Sequence, residues 1–93
     1  MAIKGKRKGL EIFNSDGKEL HRLYNTIIVE RDSDRVTLNT GGWKTNHTKN
    51  CMNDFLSDFG IKVSQLKFKW YVTGPNNTLS FEDGKVSFSL SDL

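Results

Sequence analysis

LNTGGWKTNHTKNCMN, Leu38 to Asn53, carries a strand end, a glycine turn and a capped helix start in one short run. Before it, Val36 and Leu38 alternate with Arg35, Thr37 and Asn39, the period-two pattern of a half-buried strand. After Gly41-Gly42 the period changes. Cys51 or Met52, Phe55, Leu56 and Phe59 recur at a spacing of three to four, which marks a helix with one buried face. Thr45 is the preferred cap, its hydroxyl accepting an early backbone N–H, with Asn46 and Thr48 as alternatives. Gly60 supplies the left-handed residue at which such a helix stops. Gly41 and Gly42 permit the reversal from strand to helix, and Trp43 is expected to plug the corner, because one packed aromatic contributes a few kcal/mol of burial.

Outward from this segment the chain reads as strands. Leu10–Phe13 and Lys18–Val29 flank Asn14-Ser15-Asp16-Gly17, where Asp-Gly suits a tight hairpin turn. In the second arm Leu20 and Tyr24 share one parity and Leu23, Ile27 and Val29 the other, so a bulge near Tyr24-Asn25 is expected. Turn chemistry at Arg31–Asp34 then leads into Arg35–Asn39, completing a three-stranded meander. Ile61 to Thr73 reads as one strand, with Leu66, Phe68, Trp70 and Val72 on the core face and Lys67, Lys69 and Tyr71 opposite. After Gly74-Pro75-Asn76-Asn77, residues around Glu82-Asp83-Gly84 form a closing hairpin whose outer face carries Ser87, Ser89 and Ser91. The expected fold is α+β, an antiparallel sheet of about five strands with one helix packed on one face, in the order βββαββ. Residues 1–9 read as a flexible basic arm and residues 10–93 as a single domain.

Composition narrows the function classes. With 93 residues, 35% hydrophobic and 27% charged, the chain has material for one modest core. A lone Cys51 cannot form an intrachain disulfide, and no apolar leader-like or membrane-length run is present, so a soluble protein of the cytoplasm with no membrane partner is expected. The net charge of +3 is uneven. Lys4, Lys6, Arg7 and Lys8 contribute +4 before the first acid, and the other ten bases and eleven acids leave −1. The arm could touch phosphates, although terminal charge runs are more commonly just a solvated terminus.

Chemistry-bearing patterns are sparse. The helix start, with Lys44, Thr45, Thr48 and Lys49, is the one place fitted to receive an anion, because free N–H groups and the helix dipole add to the two lysines. His47 and Cys51, four apart, could share a zinc ion with His21 or Asp54, and His47 with Asn50 or a carboxylate invites a nuclease reading. Either would be half a site, so neither metal, cofactor nor catalytic residues are expected. Glu30, Asp32 and Asp34 are too few oxygens for a calcium loop. Lys67, Lys69 and Tyr71 form a second possible binding face, with the aromatic and basic interleaving of single-strand binders but only one ring on that side.

The segment also carries a family likeness. LNTGGWKTNHTKNCMN, followed by an aromatic-rich strand and a late FEDG turn, resembles small proteins of tailed bacteriophages and prophages. These carry a β-branched strand, then Leu-x-x-Gly-Gly-Trp-basic-Thr-x-x-Thr and a later Asn. The matching positions are Leu38, Gly41, Gly42, Trp43, Lys44, Thr45, Thr48 and Asn53; the likeness runs from about Tyr24 to Phe88, and the first hairpin has no matched counterpart. The resemblance implies a phage origin and no particular reaction. Small phage accessory proteins usually act by occupying a surface, so the expectation is non-enzymatic binding of nucleic acid. The alternative is a modulator or inhibitor of a host or defence protein, and a metal-dependent nuclease is a remote third.

Overall fold

The computed structural model describes residues 3–4 and 7–93. Its first half is an antiparallel meander. β1 (Ile3–Lys4) pairs with β2 (Leu10–Ser15), which turns at Asp16-Gly17 into β3 (Lys18–Leu23). Both turn residues have positive φ, 53° and 78°, the tight geometry that matches strand twist. β3 then reverses at Tyr24-Asn25 into β4 (Thr26–Asp32), and β4 reverses around Ser33 into β5 (Arg35–Asn39). The expected single strand Lys18–Val29 is therefore two strands. A parity switch arises from a two-residue reversal as readily as from a bulge, and tyrosine, rarely left-handed, gives no turn signal. A register shift does occur, between His21 and Arg22 opposite Ile27–Val29, and it lets the consecutive Ile28 and Val29 both be buried.

The helix matches its expected ends. α1 (Asn46–Leu56) is capped by Thr45, whose side chain accepts from the Thr48 N–H at 3.2 Å. A 3-10 turn, Ser57–Phe59, continues to Gly60 at φ 71°. Thr48, Cys51, Met52, Phe55 and Leu56 form the buried stripe. Asn53 ties the helix to the next strand like an extra ladder rung, donating to the Val63 carbonyl at 3.1 Å and accepting from its N–H at 2.7 Å.

Beyond the helix lies a second sheet, β6 (Lys62–Leu66), β7 (Lys69–Thr73) and β8 (Thr78–Ser80). The strand expected over Ile61–Thr73 is in fact a hairpin. It turns at Lys67 and Phe68, both left-handed at φ 51° and 69°. Trp70 and Val72 keep their buried face, joined by Val63, but Leu66 is 64% exposed and Phe68 at the tip 89%. Lys69 and Tyr71 share the opposite face, whereas Lys67 belongs to the turn, so the three do not form one face.

The closing hairpin is also corrected. Asp83-Gly84 does make a tight turn, with Glu82 and Lys85 bonded to each other in both directions, but its arms diverge. β8 joins β7, while β9 (Lys85–Ser89) crosses to pair with β5 at the edge of the first sheet. Ser87 meets Thr37 and Ser89 meets Asp34 by side-chain hydrogen bonds, and Leu90 enters a 3-10 turn. The α+β class holds, with one helix and antiparallel strands. In place of one five-stranded sheet there are two, of order β1-β2-β3-β4-β5-β9 and β6-β7-β8. Leu23, Val29, Leu38, Met52, Leu56, Val63, Trp70 and Phe88 belong to one shared core.

Candidate functional site at the helix start

The Thr40–Thr45 corner is held by its own backbone. The buried Thr40 donates its N–H to the Gly84 carbonyl at 2.8 Å, its hydroxyl accepts from the Gly42 N–H at 3.3 Å, and its carbonyl accepts from the Trp43 N–H at 3.0 Å. Asn39 accepts from the Gly41 N–H at 2.9 Å. Gly41 is left-handed, and a Cβ there would meet the Thr26 methyl at 2.5 Å, so glycine is required twice over. The glycines build the corner as expected. Trp43 does not plug it: the side chain is 66% exposed, because the backbone bonds already close the reversal and the ring is turned outward.

A second exposed ring stands near it. Tyr24, 57% exposed, sits in the β3–β4 turn at φ 55°. Its N–H donates to the Gly9 carbonyl at 2.8 Å, and Gly9 lies so close that an added Cβ would overlap the ring. His47 lies 6.4 Å from Tyr24, centroid to centroid, and its Nε2 is 2.8 Å from the Lys8 carbonyl. A carbonyl only accepts, so Nε2 carries the proton. Tyr24, Trp43 and His47 wall a hollow of about 330 Å³ over Leu23 and Ile28, and no carboxylate lines it. Neither ring's exposure shows in the periodicity of the sequence, where Tyr24 reads as part of a bulge and Trp43 as an anchor. The one available signal for Tyr24 was its place beside Asn25, a turn-favouring residue.

The other candidates separate. Lys6 lies outside the described residues, and only the backbone of Lys4 is described. Arg7 is bound to Asp54 through two hydrogen bonds, 2.7 and 3.2 Å, and that bonding raises its pKa. Thr45 caps the helix, and Thr48 is buried against it. Among the described residues, the salt bridges involve none of Lys8, Lys44 and Lys49. The Lys44 side chain passes near Gly84 into a neighbouring hollow of about 340 Å³, which it shares with Phe68, Lys69 and Tyr71 but also with Glu82 and Asp83. Two residue sets distant in sequence thus meet there.

His47 and Cys51 do not converge on a common ligand site. Cys51 is fully buried, and burial pushes its thiol pKa up, with Arg7 opposing and Asp54 adding. His21 is buried and bound through Nε2 to Glu19 at 2.6 Å. Among the described residues no group of three or more His, Cys, Asp or Glu could hold a metal ion, and no helix is long and apolar enough to cross a membrane.

No curated protein and no solved structure gives a significant match to this chain. A family model described as Kyanoviridae Gp96 protein matches residues 9–88, which takes in the β2–β3 hairpin as well as the glycine corner, the helix, the second sheet and all of the first sheet but β1 and the last residue of β9. The match covers most of the molecule, as a phage origin requires, and the chain belongs to the Kyanoviridae Gp96 family of bacteriophage proteins.

Proposed function

We propose that this protein is a non-enzymatic phage accessory factor that associates with nucleic acid, in the cytoplasm of the infected host, through the face around the start of α1. The observation that carries the reading is the exposure of Trp43 and Tyr24 on a hollow without carboxylates, at a helix start whose first turn has no acid and whose flanking Lys44 and Lys49 form no salt bridge among the described residues. Exposed rings beside cations suit a ligand with both π faces and negative charge. Titration of labelled single- and double-stranded DNA at two salt concentrations tests it. If three lysines meet phosphates of a single strand, log K should fall against log salt with a slope of about −2. Absence of binding at low salt overturns the proposal.

A second reading, a modulator of a host or defence protein, is favoured by the projecting Leu66 and Phe68 at the β6–β7 tip. A partner recovered from nuclease-treated host lysate by the wild type and lost with Phe68→Ser would favour it.

A further inference from the structure

We infer that the hollow walled by Tyr24 and Trp43 takes one unstacked nucleobase of a single strand, an inference that rests on the nucleic-acid association proposed above. Its volume of about 330 Å³ lies at the small end of ligand pockets, roughly 300–1,000 Å³, and suits one ring system better than a stack. Its polar lining is mostly engaged elsewhere. The Thr45 and Thr48 hydroxyls meet each other, the Thr40 hydroxyl accepts from Gly42, and His47 Nε2 donates to Lys8. Leu23 and Ile28, both buried, complete an apolar interior, so recognition there is by stacking and apolar contact rather than by hydrogen-bond readout.

Charge selects a nucleobase over a neutral apolar ligand. The hollow beside His21 is lined by Glu19, Asp54 and Asp58, and that beside Lys44 by Glu82 and Asp83; the Tyr24–Trp43 hollow has no carboxylate to repel a phosphate. The first turn of α1, which borders the hollow through His47 and Thr48, holds no acid, and Lys44 and Lys49 flank it in sequence without a salt bridge among the described residues, so sugar-phosphate leaving the hollow on that side meets net positive charge. Tyr24 is held in a left-handed conformation over Gly9, which places its ring at the mouth. Every base has a π face, so little sequence preference is expected, and a base inside a duplex cannot enter.

The test uses the full chain with a labelled oligothymidine, the duplex it forms with its complement, and a strand of the same length made of abasic sugar-phosphate. The expected order is oligothymidine bound more tightly than either duplex or abasic strand. Trp43→Ala should weaken oligothymidine binding about tenfold or more, and Trp43→Phe should retain most of it. Tyr24→Asn, chosen because asparagine tolerates the left-handed backbone, should act like Trp43→Ala. Equal binding of abasic strand and oligothymidine, or an unaffected Trp43→Ala, would overturn base insertion while leaving association through phosphates intact. Failure of every strand to bind at low salt would overturn both readings.

Discussion

Gly41 and Gly42 are neighbours with the same sign of φ, 61° and 88°, yet they answer to different constraints. At Gly42 an added Cβ meets open space, so Gly42→Ala should cost only the backbone strain, about 1 kcal/mol. At Gly41 the same atom would strike the Thr26 side chain, and Gly41→Ala should cost a further 1–3 kcal/mol or so. Urea denaturation of the two variants measures the difference, and equal losses would contradict the close-approach argument. Cys51 offers a second measurement. Burial raises its folded pKa above the unfolded value, so in that window the folded state holds the proton more tightly and stability falls as pH rises. Above the ordinary thiol pKa of about 8.5, the wild type should therefore lose stability faster than Cys51→Ala. Parallel alkaline profiles of the two proteins would refute it.

Hairpin turns decide the elements here, and several use residues poorly suited to them. Asp16-Gly17 and Asp83-Gly84 carry the expected glycine and were legible as turns. Lys67-Phe68 was not, because two left-handed non-glycine residues look like the middle of an alternating strand. Replacing them by asparagine and glycine, Lys67→Asn with Phe68→Gly, should raise stability by about 1–2 kcal/mol in chemical denaturation. A loss of stability would mean that the exposed Phe68 makes folding contacts absent from this structure. The helix was legible to its ends, since Thr45 and Gly60 act through local backbone bonds that do not depend on the rest of the molecule.

The Cα radius of gyration is 12.3 Å, about that of a single compact domain of this length. Both sheets contribute to its core together with α1; the chain passes from the first sheet to the second through α1 and returns to the first at the Asp83-Gly84 turn. The glycine corner and helix start were readable as a string, but the hollow beside them was not, since Leu23, Tyr24 and Ile28 come from an earlier hairpin than Thr40–Thr48. By itself the sequence determined the strand and helix periods, the glycine corner, the Thr45 cap and the α+β class, because propensity, φ preference and capping act over a few residues. Only the tertiary structure decided which sheet β9 joins, that Arg7 is bound to Asp54, and that Trp43 and Tyr24 face outward over a common hollow. Those outcomes depend on which distant segments compete for the same buried surface and the same partners, and that competition leaves no local pattern in the chain.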